Sequence, residues 1–144
     1  MKKQLSLLAL LLGVMLLLSS CGGLPTSGDE LVSKMTDEGY EVRRTVGDDR
    51  IAEYVEEYGL GMGDVTAIVH AEKKSKTNDV RLTMGTFLFC QDESTVQTLK
   101  SAIEDSLKEQ FGLINNPAYR DFTVKQKGKI VFFGTKSVWE TAND

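Results

Sequence analysis

The sequence predicts an α+β fold, a two-layer sandwich in which a mainly antiparallel sheet of about five strands carries helices mostly on one face. Three observations predict it. Val65 to Glu72 and Val80 to Phe89 alternate apolar and polar residues with a period of two. Val96, Leu99, Ile103, Leu107 and Phe111 form an apolar stripe at helical spacing. Lys127-Gly128 separates two further strand-like runs. Together the elements read α-β-α-β-β-α-β-β-α, an order that places strand pairs side by side and gives each helix an apolar face to bury on the sheet.

The first helix is predicted over about residues 28 to 38. Ser27-Gly28-Asp29-Glu30 fits a capping box, and Gly39 sits where a helix would end. Tyr40 to Val46 reads as a strand. Ile51, Val55 and Tyr58, with Ala52 and Tyr54 beside them, repeat at helical spacing up to Gly59 and predict a second helix. In the next strand Val65, Ala67, Val69 and Ala71 share one face, while Thr66, Ile68, His70 and Glu72 share the other. The polar stretch Lys73 to Asp79 is a hairpin loop leading into the strand of Val80 to Phe89. Phe87 and Phe89, on either side of Leu88, predict burial on both faces near the end of that strand.

Asp92 or Ser94 caps the long helix that follows, and Gly112 is predicted to stop it. Tyr119 to Gln126 and Lys129 to Gly134 are strands joined by a two-residue turn at Lys127-Gly128, with glycine where a positive φ is needed. A short tail helix, about Lys136 to Thr141, folds Val138 and Trp139 back onto the core.

The N-terminus has a different character. Lys2 and Lys3 precede an apolar run from Leu5 to Leu18 that is 14 residues long. That is short of the roughly 18 apolar residues that argue for a spanning helix. Small residues follow at Ser19 and Ser20, so residues 1–20 read as a removable secretory signal. Leu18-Ser19-Ser20-Cys21 resembles the lipobox of bacterial lipoproteins. That resemblance implies that the Cys21 thiol carries a diacylglyceryl group and that Cys21 becomes the first residue once the signal is cut away. Past Cys21 the layout resembles the small uncharacterised lipoproteins of Gram-positive bacteria, which implies the extracytoplasmic face of the cell membrane and no particular activity. Cys21-Gly22-Gly23-Leu24-Pro25-Thr26-Ser27-Gly28 is rich in turn formers and reads as a flexible tether over residues 21–28. Its seven peptide steps reach about 25 Å at most. Residues 29–144 then form a single α+β domain.

Removal of residues 1–20 leaves 124, enough for one ordinary core. It also takes away Lys2 and Lys3, leaving 15 basic against 21 acidic residues, a net charge of −6. An acidic chain of this kind is a poor partner for nucleic acid. With Cys21 consumed by lipid, Cys90 has no partner for an intramolecular disulfide. The chain has one histidine and two cysteines, so a zinc site of the usual ligands is not expected.

Each remaining candidate has an ordinary explanation. Gly59-Leu60-Gly61-Met62-Gly63-Asp64 looks like a phosphate cradle, but it leads out of a helix into a strand and lacks the G-x-G-x-x-G spacing. It reads as a helix stop and connector, with Leu60 and Met62 covering the core edge. His70 lies mid-strand and reads as a partly exposed strand histidine. Cys90 ends an apolar strand and reads as a small buried hydrophobe. Asp48, Asp49, Glu53, Glu56 and Glu57 make the second helix acidic without the spacing of a calcium loop, and read as a solvated face.

Charge is sorted along the chain. Residues 28–64 hold 11 acids against 4 bases, and residues 113–144 hold 3 acids against 5 bases. Lys73, Lys74 and Lys76 in one hairpin, with Lys125, Lys127 and Lys129 in the other, form a basic rim for headgroups or wall polymers if the two turns lie together. The expected function is a membrane-anchored module that binds an envelope protein, peptide or glycan through the sheet face away from the helices, at residues such as His70, Arg81 and Phe87. No catalytic residue, cofactor or metal is expected. An envelope enzyme and a structural homo-oligomer are the alternatives. The enzyme reading needs a pocket that gathers at least two titratable groups, and His70 within hydrogen-bond reach of an Asp or Glu at the bottom of a cleft would favour it.

Overall fold

The computed structural model describes residues 23–74, 83–113 and 120–144. Residues 1–20, expected to be a signal, Cys21 and Gly22, the loop with Lys76, Val80, Arg81 and Leu82, and Tyr119 lie outside them. The elements are α1 (Gly28–Asp37), β1 (Glu41–Thr45), α2 (Asp48–Val55), a 3-10 turn at Glu56–Tyr58, β2 (Val65–Lys73), β3 (Thr83–Cys90), α3 (Glu93–Leu113), β4 (Phe122–Lys127), β5 (Ile130–Thr135) and α4 (Lys136–Asn143). Their order is the predicted one. The five strands form one antiparallel sheet in the order β1-β2-β3-β5-β4, so the fold is α+β.

Local chemistry sets the helix ends. Ser27 Oγ accepts the Glu30 backbone N–H at 3.2 Å and caps α1. At its other end Gly39 takes a φ of 82°. There Tyr40 N–H donates to Met35 O and Gly39 N–H to Thr36 O, the paired bonds of a Schellman end, while Tyr40 buries its ring. Asp92 Oδ1 accepts the Thr95 N–H at 2.8 Å and caps α3. This bond holds the Asp92 carboxyl below its ordinary range. α3 continues through Gly112 to Leu113, so Gly112 does not stop it. Lys127 pairs with Ile130, which makes the two-residue turn Gly128-Lys129, one position later than predicted, with Gly128 at φ 55°.

The layering departs from the prediction. Leu31 and Met35 of α1 and Val138 and Ala142 of α4 bury one face of the sheet with Val69, Phe87 and Phe132. Ile51 and Val55 of α2 and Val96, Leu99 and Ile103 of α3 bury the other with Ile68, Leu88 and Val131. Helices cover both faces, so the domain has three layers rather than a two-layer sandwich with helices mostly on one face. The physical reason lies in the central strands. Phe87-Leu88-Phe89-Cys90 and Ile130-Val131-Phe132 are buried without interruption, so each face presents an apolar surface that must be covered.

A register shift between Val65 and Ala67 alters β2. It moves Val65 into the core with Ile68, while Ala67 joins Val69 and Ala71 opposite. The predicted sharing of one face by Val65 and Ala67 does not hold.

The start of the domain also differs. Leu24 is buried, 8% exposed, in the core formed by α1 and α4. The stretch predicted as tether is therefore fastened to the core at Leu24 and Gly28, with Thr26 and Ser27 exposed between them.

Candidate functional site

His70 lies on the sheet face covered in part by α2 and α3, in a row with Arg43 of β1 and Thr86 of β3, its cross-strand partners. Its Nδ1 shares a hydrogen bond of 3.0 Å with Thr86 Oγ1, and its Nε2 stands 4.0 Å from Glu72 Oε2. Glu72 Oε1 accepts a 2.6 Å bond from Arg43. The hydroxyl, imidazole and carboxylate thus follow one another along two strands. Two features keep this order from forming a nucleophile and base. Thr86 is buried, and the Glu72 carboxylate lies beyond hydrogen-bond reach of the ring and is already engaged by Arg43. The arrangement that would favour an enzyme, a carboxylate within hydrogen-bond reach of His70, is not formed here. His70 is the half-exposed strand histidine that its place in the sequence predicts.

Burial lowers the His70 pKa, Glu72 opposes that shift, and Arg43 adds to it. The folded protein therefore takes up the proton at lower pH than the unfolded chain, whose ordinary value is 6.5. The His70 contribution to stability is complete above that value and declines as pH falls through it toward the folded value. The loss of stability in urea unfolding from about pH 7.5 to about pH 5 is expected to be smaller in His70→Asn than in the unaltered protein. Equal losses would show that His70 titrates alike in both states.

Phe87 and Arg81, expected beside His70, do not join it. Phe87 is fully buried against Phe132 on the opposite face, with ring centroids 4.8 Å apart, and Arg81 lies outside the described residues. The two lysine hairpins do not meet either. Lys73 pairs with Thr83 at one end of the sheet, whereas Cys90 N–H donates to Lys129 O at the other. A common basic rim is therefore absent among the described residues. β4 runs parallel to β3 because α3 returns the chain along the sheet, and this puts the two turns at opposite ends.

A groove of about 340 Å³ opens at the Lys129 end. It lies where Leu24 and Thr26 pass beside Thr66, Phe89 and the Gly128-Lys129 turn. A Cβ at Gly23 would stand 3.7 Å from Lys127 Nζ. Lys127 itself donates to Asn143 Oδ1 at 3.0 Å. No local pattern announces that residues 23–26 meet this hairpin, because the contact is made by Leu24, a residue read as part of a flexible segment.

Cys90 lines the same groove with its thiol turned inward, toward Leu88 O at 3.8 Å. Burial, followed by the nearby Asp92 and Asp64 carboxylates, pushes its pKa up to about 12. The thiol stays protonated and inert, as expected of a buried strand cysteine. In a Cys21→Ala chain, a disulfide-exchange thiol reagent should titrate no group in the folded protein and one after denaturation. Rapid reaction of the folded chain would show an accessible thiolate.

The glycine-rich connector lacks the strand-to-helix geometry of a nucleotide loop. Gly59 at φ 73° ends the 3-10 turn, Gly61 N–H donates to Asp64 Oδ2 at 2.8 Å, and the segment enters β2 rather than a helix. Leu60 packs on the core edge as predicted, whereas Met62 is 65% exposed and does not. Glu53, Glu56 and Glu57 are exposed, as a solvated face would have them. Among the described residues no group of three or more His, Cys, Asp or Glu side chains is placed to hold a metal. No helix among them is long and apolar enough to cross a membrane. The chain matches no known protein family, no curated protein and no solved structure.

Proposed function

We propose that the protein is a lipoprotein held by Cys21 at the extracytoplasmic face of the cell membrane, with its α+β domain serving as a small binding module at the envelope. The observation that carries this reading is Leu18-Ser19-Ser20-Cys21 at the end of a basic-then-apolar leader. The buried position of Leu24 supports it. Three peptide steps separate Cys21 from Leu24, a span of about 10 Å. The two acyl chains of a diacylglyceryl group make a stable anchor where a single chain would not. The module binds beside the bilayer rather than at a distance from it.

The test is metabolic labelling of cells with an alkynyl fatty acid, followed by detergent phase partitioning. The unaltered protein is expected to carry label and enter the detergent phase, and Cys21→Ala to do neither. Retention of label by Cys21→Ala, or an unlabelled native protein, overturns the reading.

A further inference from the structure

We infer that neighbouring tethered copies of this chain dock side by side in the membrane plane, the Val46, Tyr54 and Met62 surface of one against the Lys125, Lys127 and Lys129 hairpin of the next. This rests on the lipid-anchored reading above.

Among the described residues, the large apolar side chains most open to solvent are Val46, Tyr54 and Met62, at 50%, 39% and 65%. All three fall in one segment, α2 with its flanking loops. Single exposed apolar groups are ordinary, so these three count as a contact surface only together with the charge of the same segment. Residues 46–64 also hold six acids, Asp48, Asp49, Glu53, Glu56, Glu57 and Asp64, against Arg50 alone. The occupant that fits is therefore basic.

The chain carries such a partner itself. Lys125, Lys127 and Lys129 are exposed on the β4–β5 hairpin. Asp92 near Lys129 and Asn143 bonded to Lys127 leave the hairpin net positive. Placement in the sheet makes the two surfaces complementary between copies rather than within one. α2 lies over β2, next to the β1 edge, while the hairpin belongs to β4, the opposite edge. Within one molecule the two surfaces lie at opposite sides of the sheet and face away from each other.

Both surfaces also stand at the same height. Thr45, which leads into Val46, pairs with Ile68 near the start of β2, and Val65 pairs with Cys90, whose N–H reaches Lys129 O. That is the end where the chain enters from Gly23. Two copies held at one membrane by short tethers bring unlike surfaces level, and confinement raises their effective concentration. The contact is head to tail, so it propagates into rows rather than closing as a dimer.

Cysteine crosslinking of the full chain in intact cells tests this. A Met62→Cys, Lys127→Cys chain is expected to give dimers and a ladder of higher species with a short bis-maleimide. A Met62→Cys, Lys74→Cys chain, whose second cysteine is at the far end of the sheet, is expected to give neither. Replacing Lys125 and Lys129 by Glu in the first chain should lower the yield by about tenfold. Equal yields from the two pairs, no species above the unaltered chain, or capture of Met62→Cys by a different protein overturns the inference. Crosslinking of the unaltered chain has a separate meaning: it reports a free Cys21 thiol and so overturns the anchor instead. All the substituted positions are exposed, and equal amounts of each variant in the membrane fraction establish that they fold.

Discussion

Gly134→Ala is expected to destabilise the fold severely, at a cost of about 3 kcal/mol or more from backbone overlap and an unfavourable φ. Gly134 of β5 pairs with Gly85 of β3 and has a φ of 148°. A Cβ there would overlap both Gly85 Cα and Met84 O. These are backbone atoms of the neighbouring strand, so no side-chain rotation relieves the overlap. These two inner strands would have to part at that end of their ladder. A domain of this size is stable by about 5–15 kcal/mol, so the change removes a large share of the total. Gly128→Ala is the control. Gly128 also has a positive φ, but nothing lies within 4 Å of its would-be Cβ, and its expected cost is about 1–2 kcal/mol. The fluorescence of Trp139, the single tryptophan, packed 5.3 Å from the Phe132 ring, reports both unfolding transitions. A Gly134→Ala protein as stable as Gly128→Ala would show that β3 and β5 do not approach as closely as described.

The same glycine pair shows what can be read from the sequence and what cannot. The strand patterns of Val80 to Phe89 and Lys129 to Gly134 are plain because alternation and apolar runs are local. That Gly85 faces Gly134, and that the Phe132 ring covers the space a Gly85 Cβ would fill, depends on long-range register. The element order and the α+β class followed from local signals in the same way: Ser27 and Gly39 around α1, Asp92 before α3 and a glycine between β4 and β5. The bulge at Val65 left no local mark. Coverage of both faces did leave one, in the unbroken apolar runs of the two central strands, whereas Phe87 and Phe89 alone did not reveal which helices lay where.

Of the candidate site, the ordinary roles of His70 and Cys90 were legible because each lies within a strand whose pattern accounts for it. The separation of Phe87 from His70 was not legible, because it follows from the register that pairs Val69 with Phe87 and His70 with Thr86. The packing of Leu24 was not legible. One apolar residue among glycines, proline and serine has no periodicity, and its burial is decided by the groove beside the Gly128-Lys129 turn.

The three-layer arrangement leads to a second large effect. Leu31 of α1 and Leu99 of α3 are fully buried, one on each face of the sheet, in clusters with no common member. Each change to alanine removes buried methyl and methylene groups and leaves a cavity, at an expected cost of about 2–5 kcal/mol. Because the sheet stands between them, neither cavity can be filled by relaxation around the other. The double variant is therefore expected to lose the sum of the two single losses to within about 0.5 kcal/mol. In a two-layer domain both helices would lie on the same face, the two cavities would share neighbours, and the double variant would depart from the sum. Urea unfolding of the two single variants and the double variant distinguishes the cases. A negligible cost at either leucine, or a double variant well away from the sum, would mean that the faces are not separately packed. The expected result is two cores of similar weight sharing one sheet, each necessary to a domain whose total margin is small.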